Sequence, residues 1–227
     1  MREWSGKRYW IIGAADPVGR AMAHQLSRVG TEVILSSPVL EDLGRLTDEL
    51  PGRARALSAD VADRASLDQV VRGVGQIDGR MVLSDLRLPL TPEDWDAERL
   101  EAMCDVNFTG AARAVGVVLP GMRERGSGHV VLSGLHGAMR AMPGAMGYAA
   151  SRAGTMALAR SMRSELAGLG IDVQLVNLGP IEGRPAEDAN APALAPDEAA
   201  RRIFEHMNGD AFEAGIGTPA WLARLAG

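Results

Sequence analysis

Along the chain, short apolar runs alternate with longer stretches in which apolar residues recur every three or four positions. Tyr9-Trp10-Ile11-Ile12 reads as a strand ending at Gly13, followed by an amphipathic helix from Arg20 to Val29 that Gly30 closes. Glu32-Val33-Ile34-Leu35 predicts a second buried strand, with a helix from about Val39 to Leu50 and a third strand from Arg53 to Ser58. Asp60-Val61-Ala62-Asp63 leads into a helix from about Ala65 to Val74, and Met81 to Ser84 predicts the fourth strand. Thr91-Pro92-Glu93-Asp94 has the composition of a helix start, with a capping hydroxyl, Pro at the first position and a carboxylate in the first turn. That helix is expected to run to about Leu119 and to carry Asn107. His129 to Ser133 is the fifth strand, a long helix begins at Gly147 and runs to about Leu169, and Ile171 to Val176 is the sixth strand. Strands alternating with helices predict an α/β chain with a doubly wound parallel sheet, covered on both faces, in a single domain over residues 1–227. Ligands of such sheets lie beyond the carboxyl ends of the strands.

Composition narrows the function classes. A net charge of -5 with dispersed arginines predicts no nucleic-acid surface, and no apolar run of membrane-spanning length is evident. The opening residues lack the apolar core of a secretory signal, and the single cysteine, Cys104, permits no intrachain disulfide; both lead to the expectation of a cytoplasmic protein. His24, His129 and His206 have no metal-binding spacing, so no metal is expected.

Candidate chemistry gathers at the head of the long helix. Tyr148 and Arg152 are four residues apart, hence on one helical face, and a guanidinium beside a phenol favours phenolate. The expectation is a tyrosine with a lowered pKa, able to act as an acid or base near neutral pH. Met139, Met142 and Met146 crowd the loop before this helix, where adaptable apolar side chains suit a pocket lid or a subunit contact. The Ala/Pro-rich stretch from Glu182 to Pro196 offers only a minimal or mobile cover.

Gly13 through Ala23, Asp60-Val61, Trp95 through Gly110, Gly128 through Ser133, and Tyr148 with Gly154 together carry a resemblance to the short-chain dehydrogenase/reductase family, with its Rossmann-like fold. The resemblance implies that Gly13, Ala14, Asp16, Val18 and Gly19 form a phosphate turn and that Asp60 and Val61 contact adenine, with NADP as the implied cofactor. It also implies a catalytic set of Asn107, whose side chain would hold a water, Tyr148, and Arg152 in place of the family's lysine. The serine position falls on Gly134 or Leu135, neither with a hydroxyl; Ser133 is adjacent and substitutes only if the strand end kinks, and His136 is another possible donor.

Other departures concern the cofactor. Pro17 stands where the family has the middle glycine of its turn, Ser36-Ser37-Pro38 specifies neither NAD nor NADP, and Leu83-Ser84-Asp85-Leu86 replaces the family's two Asn, Ala and Gly. A carboxylate about 8 Å from a phosphate costs on the order of 2 kcal/mol at an effective dielectric of about 20, roughly thirtyfold in affinity. Three functions therefore stand side by side: a non-redox enzyme acting on a small carbonyl or hydroxyl substrate through Tyr148 and Arg152, an NADPH-dependent carbonyl reductase, and a silent subunit. Family members commonly associate through the helices holding Asn107 and Tyr148, which implies a homo-oligomer or a hetero-oligomer with a homologue.

Overall fold

A computed structural model describes residues 2–136, 138, 144–184 and 192–217. Met139, Met142 and residues 185–191 of the Ala/Pro-rich stretch lie outside them. Seven parallel strands form one sheet in the order β3-β2-β1-β4-β5-β6-β7: β1 (Arg8–Ile12), β2 (Glu32–Ser36), β3 (Ala54–Ala56), β4 (Gly79–Val82), β5 (Gly128–Leu135), β6 (Ile171–Leu178) and β7 (Glu213–Ile216). The order reverses direction beside β1, where chain crossovers go to opposite faces and leave a crevice at the strand ends.

Alternation along the strands divides the core in two. Trp10, Ile12, Val82, Val130 and Leu132 face α3 (Arg64–Val74), α5 (Gly110–Gly116) and α7 (Met146–Leu166). Ile11, Met81, Val131 and Val176 face the other way, against α1 (Pro17–Arg28) and α8 (Pro196–Met207). Both faces of the sheet are thus apolar, as a parallel sheet requires.

Helix boundaries depart from the pattern where a local cap decides them. No helix starts at Thr91: its hydroxyl accepts the Asp94 N–H in a turn, and Asp96 caps α4 (Ala97–Cys104) by accepting from the Glu98 and Arg99 N–H groups. The predicted single helix to Leu119 is instead α4, a π-helical turn at Asp105–Thr109, α5, and α6 (Leu119–Arg125), with Pro120 in the first turn of α6. The predicted helix over 39–50 shrinks to a 3-10 turn at Glu41–Leu43 and the short α2 (Gly44–Glu49). The run Ala97–Arg125 is long and apolar enough to cross a membrane by length and composition alone, and it buries Met103, Ala111, Ala114 and Met122 in the core.

Candidate active site

The glycines of the turn after β1 are fixed by packing. Gly13 has φ +79°, and a Cβ on it would lie 2.7 Å from the Ser84 N; a Cβ on Gly19 would lie 2.2 Å from the Gly13 O. This turn needs both residues whether or not a ligand is bound. Several of its hydrogen-bond donors are already engaged: the Gly13 and Ala14 N–H groups both donate to Ser36 O at 3.1 Å, and Pro17 has none to offer. Asp16 is the N-cap of α1, its Oδ1 accepting from the Val18 N–H at 2.9 Å. A carboxylate from the chain itself thus sits where a helix N-terminus would otherwise attract an external anion.

The other oxygen of Asp16 is held by a residue the sequence reading did not single out. Arg184, in the segment after β6, donates through Nε to Asp16 Oδ2 at 2.7 Å and places Nη2 3.2 Å from Asp85 Oδ2. Its side chain is only 10% exposed. Gly183 brings this segment over the turn, since a Cβ there would lie 3.3 Å from Pro17 Cγ. No local pattern marks Arg184, but charge balance could have found it: two carboxylates expected in one groove call for a cation.

Asp85 is the hub. It accepts the Tyr148 O–H at 3.1 Å through Oδ2, and its Oδ1 is paired with Arg152 Nη2 in a short contact. Arg152 is buried on α7 and also donates to Ser84 O at 2.9 Å and, through Nη1, to Ser133 O and Ser133 Oγ, both at 3.3 Å. Burial works to raise the Asp85 pKa, but the guanidiniums of Arg152 and Arg184 outweigh it and hold the carboxyl below its usual range. The expectation of a lowered Tyr148 pKa is corrected: burial, with Asp85 acting in the same direction, raises it against the opposing pull of Arg152 and Arg184. Arg152 does face the phenol, its guanidinium carbon 5.7 Å from the ring centroid, but its charge is matched by Asp85. Arg87 lies over the same ring at 5.4 Å.

Asn107 sits in the π-helical turn, fully buried, and is not placed to hold a water with its side chain as expected. Its Oδ1 accepts the Leu86 N–H and its Nδ2 donates to Leu86 O, both at 2.8 Å, with a second Nδ2 bond to Ser151 Oγ at 2.9 Å. The Asn107 carbonyl accepts from Thr155 Oγ1 at 2.8 Å. Asn107 therefore pins the loop that carries Asp85 to the helix that carries Tyr148. A π turn is a common way to aim one side chain inward from a helix.

Ser133 donates to Val82 O at 3.0 Å and meets Arg152, so its hydroxyl supports the guanidinium rather than the phenol. Neither alternative serine position has room or chemistry for the role. A Cβ on Gly134 would fall 2.1 Å from Asn177 Oδ1, and Leu135 is packed in the core with Tyr148.

Asp60 and Val61 line the remaining open part of the groove, a cavity of about 360 Å³ extending to Ser84, Asp85 and Val106. Asp60 Oδ1 accepts the Ala62 N–H at 2.9 Å, while the helix start belongs to Asp63, the N-cap of α3. Among the described residues, no group of three or more His, Cys, Asp or Glu is placed to hold a metal ion.

A family model for short chain dehydrogenases matches residues 7–193. The chain belongs to the short-chain dehydrogenase/reductase family. The 3-oxoacyl-[acyl-carrier-protein] reductase FabG of Thermotoga maritima is 32% identical over 214 residues, covering 87% of this chain and 82% of that protein. Oxidoreductase UcpA of Salmonella typhimurium is 31% identical over 211 residues, covering 87% and 78%. A short-chain dehydrogenase from Streptomyces avermitilis superposes with a TM-score of 0.86 at 27% identity, covering 94% of this chain and 89% of that one. One from Burkholderia cenocepacia, solved in complex with NADP, gives 0.88 at 20% identity over 99% and 93%, a likeness of fold.

The cofactor implied by this family can be tested against the groove. The base end, at Asp60 and Val61, has space. At the pyrophosphate end the Gly13, Ala14 and Val18 N–H groups are used by Ser36 and Asp16, and Arg152 and Arg184 are paired with Asp16 or Asp85. Those two guanidiniums are matched in charge by two carboxylates, which weakens their pull on a phosphate.

Proposed function

We propose that this family member acts on a small carbonyl or hydroxyl compound, with the Tyr148 phenol as proton donor and without hydride transfer. The observation that carries this reading is Arg184 spanning Asp16 and Asp85 across the dinucleotide groove. Burial keeps Tyr148 protonated at neutral pH, with its O–H directed to Asp85. A substrate oxygen that replaces the carboxylate takes this hydrogen bond, and the proton follows as negative charge develops on that oxygen. The phenolate left behind is stabilised by Arg152 and Arg184, so these two groups lower the cost of giving up the proton even though they do not lower the resting pKa below its ordinary value. This suits an elimination, cyclisation or isomerisation beside a carbonyl. Asn107 holds the Asp85 loop and the Tyr148 helix in register as a positioning residue.

A second reading, an NADPH-dependent carbonyl reductase, is favoured by the cavity at Asp60 and Val61 and by the reductase and oxidoreductase names of the relatives. In that reading Arg184 leaves Asp16 and Asp85 when the cofactor enters. Calorimetric titration with NADPH and NADH separates the two. Absence of binding, together with loss of turnover in Tyr148→Phe on a screened set of carbonyl compounds, supports the first. Saturable NADPH binding with substrate-dependent oxidation at 340 nm, the wavelength at which reduced nicotinamide absorbs, overturns it.

A further inference from the structure

We infer that the compound acted on at Tyr148 carries a carboxylate, and that Arg87 receives it. In the loop after β4 the side chains of Leu86, Leu88 and Leu90 pack on the core, while those of Asp85 and Arg87 both meet Tyr148. Asp85 accepts the phenol O–H at 3.1 Å, and the Arg87 guanidinium carbon lies 5.4 Å from the centre of the phenol ring. The backbone is tied on either side of Arg87: Asn107 holds the N–H and the carbonyl of Leu86, and the Leu88 N–H donates to Met103 Sδ at 3.4 Å. Arg87 is thus carried on pinned backbone rather than on a free loop tip. Charge sets it apart from its neighbours. Arg152 and Arg184 are matched by Asp85 and Asp16, whereas Arg87 has no ion pair and no hydrogen bond among the described residues. Its fork of N–H donors is unspent beside the group that gives up a proton, and the two oxygens of a carboxylate match that fork. One singly charged group balances the one unmatched guanidinium. Arg152 Nε and Ser84 Oγ, buried without a partner nearby, offer further donors to an oxygen-rich ligand. With its reacting oxygen at Tyr148 and its carboxylate at Arg87, the compound is a short oxo acid or hydroxy acid.

This inference names the substrate class of the proposed reaction and rests on Tyr148 as its proton donor. It is tested on the full chain by ligand-observed NMR titration with three pairs: pyruvate and pyruvamide, acetoacetate and acetoacetamide, levulinate and levulinamide. The pairs set the carboxylate progressively farther from the ketone, and each amide keeps the shape without the charge. In at least one pair the carboxylate binds at least about tenfold more tightly than its amide. In Arg87→Gln that gap closes while the affinity for the amide is unchanged. Arg87→Lys, which keeps the charge without the fork, recovers part of the gap, a rescue that a purely structural contact with the Tyr148 ring would not give. Equal binding within every pair, a gap that persists in Arg87→Gln or is not recovered at all in Arg87→Lys, or no binding by any of the six overturns the inference. The two readings fail separately. Equal binding within the pairs, with turnover of neutral carbonyl compounds lost in Tyr148→Phe, removes only the carboxylate. An Arg87-dependent preference, with turnover indifferent to Tyr148→Phe, removes only the proton-donor role.

Discussion

Arg184 Nε lies 2.7 Å from Asp16 Oδ2, joining the cap of the first helix to the segment after the sixth strand. The same guanidinium reaches Asp85, so one side chain ties together the turn, the loop after β4 and the segment after β6. Three elements that border a dinucleotide groove in this family are here cross-linked by charge.

Removing the two carboxylates reverses that balance. Asp16→Asn/Asp85→Asn keeps side chains that can cap and hydrogen-bond, and it releases the positive charge of Arg152 and Arg184 into the groove. One carboxylate about 8 Å from a phosphate is worth about 2 kcal/mol at an effective dielectric of about 20. NADPH binding is therefore expected to strengthen by thirtyfold or more, as read by calorimetry. Unchanged affinity would falsify the account of why the groove resists phosphate.

The phenols give a spectroscopic test. Tyr9 and Tyr148 are the two tyrosines of the chain, and burial raises both pKa values above the ordinary figure of about 10. No tyrosinate absorbance should appear as the folded protein is taken to pH 10, and it should appear together with alkaline unfolding. The linkage sign agrees: above about pH 10 the unfolded chain gives up phenol protons that the folded chain keeps, so stability falls as pH rises past the unfolded value toward the folded one. In Asp85→Asn the arginines act on Tyr148 without opposition, and one tyrosinate should form at a pH below that needed in the parent chain. Titration of a full tyrosinate equivalent near pH 10 in the parent would show that Tyr148 is not held as described.

Much of this was legible from residue order, and what was not had long-range causes. The alternation of strands and helices gave the parallel sheet because each element carries its own period and its own turn glycine. Gly13 and Gly19 could be read because a close backbone approach leaves glycine as the residue that fits. The helix start at Thr91 failed because Asp96 offers a carboxylate cap to two N–H groups a few residues later, and two plausible caps cannot be ranked without the packing of Met103 that fixes the register. The pairing of Tyr148 with Arg152 was visible in their spacing, whereas its electrostatic effect was not, since Asp85 approaches from a different strand end. Arg184 was invisible for the same reason: its partners lie far away in sequence.

Acid sensitivity should come from the opposite end of the sheet. His129 is buried with Nδ1 2.9 Å from Tyr9 Oη and Nε2 2.8 Å from Gln174 Oε1. Gln174 Nε2 donates to the carbonyls of His206, Gly209 and Ala211, which turns Oε1 to the ring and makes Nε2 the protonated nitrogen and Nδ1 the acceptor from Tyr9. Burial pushes the His129 pKa down to about 3. The unfolded chain binds a proton below about pH 6.5 that the folded chain refuses, so stability declines as pH falls from there toward 3, by about 1.4 kcal/mol per pH unit within that window. Denaturant midpoints between pH 7 and pH 4 should show this slope, and His129→Gln should flatten it. An equal slope in the variant would assign the acid sensitivity elsewhere.

Arg80 presents the largest unexplained cost in the core. It is fully buried on β4, between Trp10 of β1 and Val130 of β5 in the sheet register, and all three guanidinium nitrogens lack a hydrogen-bond partner among the described residues. Its one compensating contact is the Trp10 ring, 3.4 Å from the guanidinium carbon, and a desolvated contact of this type is worth about 2 kcal/mol. The desolvation penalty of a buried ion is several kcal/mol even after relaxation, so the ring does not cover it. Ile34, Trp10, Val130 and Val173, the nearest side chains in this row, are apolar, and an unbranched apolar residue of similar length can take the same path. Arg80→Met should accordingly stabilise the fold by about 1–4 kcal/mol, which for a chain of this size is a rise of at least about 2 °C in thermal midpoint. Trp10→Leu should destabilise the parent more than it destabilises Arg80→Met, because in the parent it also strips the cation of its partner. A double-mutant cycle on these two positions measures the difference, and additive effects would mean that the arginine draws its compensation from somewhere other than the indole.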